Sequence, residues 1–313
     1  MEKKLTAPIL FLIFNRPDTT QRVFNEIRRA RPTKLFVAAD GPRKNKEGET
    51  GKCQAARDVV SQVDWDCKVY KLFRDKNLGC KIAVSSAIDW FFENVEEGII
   101  LEDDCLPHPT FFRFCQELLE KYRDDERIMH IGGYPHPTKN KRINYSYFFS
   151  KYPHIWGWAS WRRAWKYYDV NLSLWPKVKS LRLHYDMFNN KQEAQYREKL
   201  WDSVYSSLID TWDYQWVFAV RLQSGLSILP KRNLIKNIGV GPEATHAKLS
   251  KARFETYFEM EFPMQHPEFI LVDSVFDSVY SNKTKFSRKL LAKFERLGLK
   301  IRLFLNTLKE ERH

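Results

Sequence analysis

The chain predicts an α/β fold: a mixed, mainly parallel sheet flanked by helices, with a basic amphipathic helix at the carboxyl terminus. Three observations carry that prediction. Short apolar runs alternate with helical stretches through the first third of the 313 residues, the pattern of a parallel sheet covered by helices. Several of those runs end on polar or acidic residues, at the strand ends where open α/β sheets place their ligands. From Lys283 to Arg312 the chain is rich in Lys and Arg, while Phe286, Leu290, Phe294, Leu297, Ile301, Phe304 and Leu308 recur at three- and four-residue steps.

Pro8 to Phe14 reads as the first strand. Asp18 or Thr19 can cap a helix that carries Val23, Phe24 and Ile27 on one face. Lys34 to Ala39 is a second strand ending at Asp40-Gly41-Pro42, and Lys44 to Gly51 is polar and loop-like. Gln54 to Val63 reads as a helix and Cys67 to Phe73 as a third strand. Asn77-Leu78-Gly79 then breaks the chain before a helix from Lys81 to Phe92. Gly98 to Leu101 is strand four, and Thr110 to Tyr122 is helical with Phe111, Phe114, Cys115, Leu118 and Leu119 on its apolar face. After Ile128 the pattern changes to short strands and aromatic loops, including Trp156-Gly157-Trp158-Ala159-Ser160-Trp161. Residues 1–127 therefore form one half of a single unit, 128–280 the other half, and 281–313 the basic tail.

Bulk composition narrows the function classes. With 43% hydrophobic residues the chain can bury a real core. The five cysteines show no CxxC spacing, which fits neither a zinc site nor a disulfide framework and points to a reducing cytoplasm. The apolar run from Ala7 to Phe14 stops at Asn15-Arg16-Pro17 without a small-residue cleavage site, so it reads as a strand and not as a signal peptide. No apolar stretch approaches the roughly 20 residues that span a bilayer. The net charge of +13 suits anionic lipid, nucleic acid or phosphorylated substrates. The tail has two readings: it lies on an anionic membrane surface, or its apolar stripe docks on the protein or on a second subunit.

The residues with chemistry cluster at strand ends. Glu102-Asp103-Asp104 closes strand four with three consecutive carboxylates, which repel one another unless a hard cation or a cationic side chain neutralises them. Arg16 and Asp40 stand at the ends of strands one and two. A nucleoside diphosphate would meet there an Asp for its base, an Arg for its charge and a carboxylate-held divalent cation for its phosphates. Neither GxGxxG nor GxxxxGK[ST] occurs, which argues against dinucleotide Rossmann enzymes and P-loop NTPases. Downstream, Trp212-Asp213-Tyr214-Gln215-Trp216 sets a carboxylate between indoles; low local polarity favours a base there, and a helix cap is the plainer reading. His246, in a Gly-Val-Gly-Pro-Glu-Ala-Thr-His loop, is a candidate metal ligand or an ordinary surface histidine.

Together these residues resemble the GT-A (Rossmann-like) glycosyltransferases, in particular the family of N-acetylglucosaminyltransferase I and its bacterial relatives. The similarity runs through Pro8 to Arg16, Val37 to Asp40, the helix led by Lys81, and Leu101-Glu102-Asp103-Asp104 followed by Pro107, Pro109, Phe111 and Phe112. The resemblance implies that Asp104 ligates Mn²⁺ or Mg²⁺ with His246 as a weaker second ligand. It also implies that Arg16, Asp40, Lys81, Glu102 and Asp103 bind a UDP-sugar and that Asp213 is the catalytic base. Trp156, Trp158 and Trp161 offer stacking faces to sugar rings, and of the three Trp158 is placed in the donor-binding set. Two departures stand out: Ser85 replaces a histidine of the lysine-led helix, and the Trp-Asp pair continues differently as Tyr214-Gln215-Trp216.

The expected activity is metal-dependent, inverting transfer of a sugar such as GlcNAc from a UDP-sugar to a hydroxyl of a saccharide or lipid-linked saccharide in bacterial surface-glycan synthesis. The enzyme would sit in the cytoplasm, at the inner face of the plasma membrane through residues 283–313, with no nucleic-acid partner. A second class is a non-catalytic basic protein bound to anionic membrane or nucleic acid. A third, a sugar nucleotidyltransferase, lacks its glycine-rich loop between Pro8 and Asp18.

Overall fold

The structure, a computed structural model, describes residues 4–135, 144–188, 190–239 and 256–281. Eight strands form one mixed sheet. The first half supplies β1 (Ile9–Ile13), β2 (Lys34–Ala39), β3 (Lys68–Phe73) and β4 (Glu97–Glu102). These lie parallel in the order β3-β2-β1-β4, joined by α1 (Pro17–Ala30), α2 (Glu49–Val59) and α3 (Gly79–Asn94). A short β5 (Cys105–Pro107) and α4 (Thr110–Lys121) follow. The second half adds β6 (Ile128–Gly132), β7 (Tyr147–Ser150), β8 (Trp158–Trp161), α5 (Arg162–Trp165), α6 (Trp175–Ser180), α7 (Lys191–Tyr205), α8 (Asp213–Leu222), β9 (Leu226–Pro230) and β10 (Ile235–Asn237). Its strands continue the same sheet as β8-β6-β9-β7, with β8 antiparallel to both β4 and β6. The expected boundary near residue 127 thus falls between α4 and β6, within one continuous sheet.

Alternation along β1 builds the core on both faces. Ile9, Phe11 and Ile13 join Val23, Phe24 and Ile27 of α1 and Phe111, Phe114 and Leu118 of α4. Leu10 and Leu12 face the other way, with Phe36, Ile88, Phe91 and the indoles of Trp158, Trp165, Trp212 and Trp216. Burial on both faces is why these strands read as unbroken apolar runs. A third cluster, around Trp175, Trp201 and Phe218, packs α6, α7 and α8 together.

Two helix starts differ from expectation. Arg16, not Asp18 or Thr19, is the N-cap of α1, because Pro17 has the φ a first helical residue needs and no N–H to satisfy. That leaves the Arg16 side chain available to the end of β4. α2 begins at Glu49, inside the stretch expected to be loop, after Gly48 at φ 72°. Glu49 accepts from the backbone N–H and the guanidinium of Arg43 and from Asn15 Nδ2 at 2.8 Å, which fastens the exits of β1 and β2 to each other. The basic tail, residues 283–313, lies outside the described residues, as does His246. Among the described residues no helix is long and apolar enough to cross a membrane.

Candidate active site

Register between β1 and β4 sets the site. Leu12 pairs with Glu102, so the chain beyond each strand runs side by side. The Phe14 N–H donates to Asp103 Oδ2 at 3.1 Å, and Arg16 Nη1 donates to Asp104 Oδ2 at 2.9 Å while lying 3.7 Å from Asp103 Oδ1. Burial, Asp104, Asp103 and, farther off, Asp213 hold the Glu102 carboxyl well above the usual carboxylate range. Burial and Asp104 push Asp103 upward too, against the pull of Arg16. Burial opposes the Arg16 charge, yet the three acids hold its pKa above the ordinary value. One guanidinium thus faces three carboxyl groups whose mutual repulsion it offsets only in part.

Asp40, at the end of β2, accepts from the N–H groups of Gly41 (2.9 Å), Leu78 (3.0 Å) and Gly79 (3.2 Å) and from Asn77 Nδ2 (2.9 Å). Its oxygens fasten the turn that opens α3. From the other half, Asp210 Oδ1 accepts from the Lys81 N–H at 3.2 Å, a carboxylate on the same helix N-terminus. The Lys81 side chain is partly buried and acts electrostatically on Asp169. Cys80 sits amid these acids: burial first, then Glu102, Asp213, Asp210 and Asp40, push its thiol up to about 12, so it stays protonated.

Asp213 opens α8, and Thr211 Oγ1 donates to its Oδ1. Its charge reaches Glu102 on one side. On the other it lines a cavity of about 260 Å³ walled by Tyr134, Trp156, Tyr214 and Tyr280, with Arg197 at its edge. Arg16, Glu102, Asp103, Asp104 and Asp213 therefore share one neighbourhood, while Asp40 and Lys81 stand at the start of α3. Trp158 is elsewhere: it is 0% exposed, stacked 5.2 Å from His130 and 5.8 Å from Trp212. That burial corrects its expected role, because no face is left for a sugar. Trp161 is buried as well, and only Trp156 of the three reaches the cavity.

The acids offer hard oxygen ligands, and Arg16 already sits on Asp104 as a cation would, so the residues fit a divalent ion at Asp104. Among the described residues no three His, Cys, Asp or Glu side chains are grouped to hold a metal by themselves. Such an ion would need oxygens from substrate or water. β10 brings the later half to this place: it pairs with β5, Asn237 opposite Cys105, and the Ile238 N–H donates to the Asp104 carbonyl at 2.8 Å.

No sequence-family model matches the chain, and no curated protein matches it by sequence. Among solved structures it is similar to residues 1–349 of S. aureus TarS at 6% identity (TM-score 0.39; 75% of this chain, 61% of that one). It is similar to an apo UDP-glucose pyrophosphorylase at 9% identity (TM-score 0.38; 74% and 93%). It is similar also to HddC from Yersinia pseudotuberculosis at 9% identity (TM-score 0.33; 54% and 83%). At these scores the likenesses carry no argument about chemistry.

Sequence reasoning passed over Glu49, Cys80, Arg197 and Gly239. Arg197 had a signal: with Ala194, Trp201 and Val204 it occupies the buried stripe of α7, where a cation is out of place. Cys80 and Glu49 had none, since only the fold brings their partners to them.

Proposed function

We propose that this protein is a glycosyltransferase that moves a sugar, with inversion, from a UDP-sugar to a hydroxyl of a saccharide acceptor. The observation that carries the reading is the position of Asp213, which lines the aromatic cavity while its charge acts on Glu102, the first of the three acids. A base between a diphosphate site and an acceptor pocket can take the hydroxyl proton as the new bond forms. Arg16 meets the diphosphate charge, Glu102 and Asp103 face the donor's sugar and ribose, and Asp40 and Lys81 shape the wall nearest the base. Asp104 would hold Mn²⁺ or Mg²⁺, which would supply Lewis-acid neutralisation of diphosphate charge. His246 remains a proposed second ligand. GlcNAc is the proposed sugar, and a lipid-linked surface glycan at the inner membrane face, approached through the basic tail, is the proposed setting.

Thermal shift with UDP-, GDP- and CMP-sugars, with and without Mn²⁺, tests the reading on wild type and Asp104→Ala. Stabilisation by a UDP-sugar that requires metal and disappears in the variant supports it. Mass action gives about 2.7 kcal/mol at ligand a hundredfold above its Kd. No response to any nucleotide sugar overturns it and brings forward a basic surface-binding protein.

A further inference from the structure

We propose that the outward side of α6 and the turn after it form a docking surface for an anionic lipid bilayer, separate from the basic tail. The proposal gives the membrane setting a surface on the folded part of the chain, and it rests on that setting and not on the sugar chemistry. α6 is apolar on two sides. Trp175 and Val178 are 1% and 5% exposed and pack into the third core cluster, as the inner side of a helix should. Leu174 and Leu181, seven residues apart and so on one side of the helix, bracket it at 53% and 58% exposure, with exposed Lys177 between them. Leu183, 44% exposed, opens the 3₁₀ turn Leu183–Tyr185 that follows. Single exposed leucines are ordinary on a protein surface; three within so short a stretch form a patch that calls for a cover.

Charge decides the occupant. Arg182 and Lys191, both exposed, rim an open groove of about 630 Å³ walled by Leu181, Tyr185 and Phe188, and among the described residues Asp186 is the one acid that lines it. With Lys177 the cations outnumber that acid three to one, and among the described residues none of the three forms an ion pair, whereas Lys179 is paired with Asp202 at 2.7 Å. Leucines interleaved with cations suit a bilayer, where the aliphatic ends enter the acyl boundary and the charges meet lipid phosphates. Nucleic acid would answer the cations and leave the leucines in water. The surface is held firm from behind: Trp175 Nε1 and Lys179 Nζ donate to Asp202 of α7 at 3.0 and 2.9 Å, and His184 Nε2 lies 3.1 Å from Glu198. The tail starts from the same rim. Asn190, which lines the groove and caps α7, donates from Nδ2 to Ser281 Oγ at 2.9 Å. Ser281 is the last described residue, and beyond it the sequence runs on to the basic stripe of Phe286 to Leu308.

Vesicle sedimentation on the full chain, tail included, tests this with vesicles of phosphatidylcholine alone and of phosphatidylcholine with about one-third phosphatidylglycerol. Two paired variants are compared with wild type: Leu181→Ser with Leu183→Ser, and Arg182→Glu with Lys191→Glu. Wild type is expected to bind the anionic vesicles, and each pair to lower the partition coefficient about tenfold or more, with Tm unchanged because all four side chains are exposed. Hydrogen exchange of the wild type should slow across residues 174–191 when anionic vesicles are added. Wild-type partitioning in both pairs, or unchanged exchange over 174–191, overturns the surface and leaves the tail as the membrane contact. A loss confined to the charge pair, with RNA competing the vesicles away, overturns it in favour of a nucleic-acid surface. No binding by wild type overturns the surface and the membrane setting together, whereas a missing UDP response bears on the donor reading alone.

Discussion

Gly239 lies against the carboxylate of Asp104: a Cβ at position 239 would overlap Oδ2 and stand 2.7 Å from the Asp104 Cβ. The Asn237 side chain accepts from the Gly239 N–H at 3.0 Å and holds the backbone there. Gly239→Ala is therefore expected to displace Asp104 and abolish metal-dependent stabilisation by UDP. Overpacking of this kind costs about 1–3 kcal/mol. Thermal shift with and without Mn²⁺ checks both effects; undiminished UDP response in the variant would count against Asp104 as the cation site.

Asp213→Asn keeps the shape of the α8 start and removes the proposed base. Transfer should fall about 10²–10⁴-fold, while UDP binding, measured by calorimetry, stays within twofold of wild type. Wild-type turnover in this variant would remove Asp213 from the mechanism.

Acid sensitivity should have two named sources. Burial between Trp158 and Trp216 pushes His130 down to about 3, so the folded state refuses a proton that the unfolded chain takes up below about 6.5. That stability is complete above the unfolded value and is lost as pH falls from there toward 3. The Arg43 hydrogen bonds lower Glu49 from 4.5 to about 2, so its contribution, present above 4.5, is lost as pH falls toward 2. Melting followed from pH 7 to 3 should show a slope whose lower portion flattens in Glu49→Gln. An unchanged slope would deny Glu49 its part.

Asp40→Ala takes away the acceptor shared by Gly41, Leu78, Gly79 and Asn77. Leaving such groups unsatisfied costs about 1–3 kcal/mol, so a drop of several degrees in Tm is expected. Asp40→Asn, which keeps one acceptor oxygen, should recover part of it. Equal Tm in all three proteins would show that the turn before α3 stands without this side chain.

The parallel half of the sheet was legible because each strand is a short apolar run bounded by breakers, and β2 and β3 match their expected ranges within a residue. β5 and β10 were not: three residues each, they are strands only by virtue of pairing with each other. Trp158 misled because an indole looks the same in sequence whether it faces a ligand or a histidine ring. The three acids and Asp213 could be picked out as chemistry-bearing types. Their shared field, and the buried ion pair of Arg197 and Glu193, exist only once β4 and β8 are side by side and α7 packs behind α8.

That antiparallel junction of β4 and β8 joins through only four residue pairs, Glu97 with Trp161 to Ile100 with Trp158. Everything proposed for the nucleotide, save His246, lies on the β4 side, and everything proposed for the receiving sugar lies on the other. The halves are joined a second time where β10 pairs with β5, which brings Gly239 against Asp104. A change in the later half therefore reaches the acid site through that second join, so chimeras crossed at the β4–β8 ladder should keep the site intact only when β5 and β10 come from the same parent.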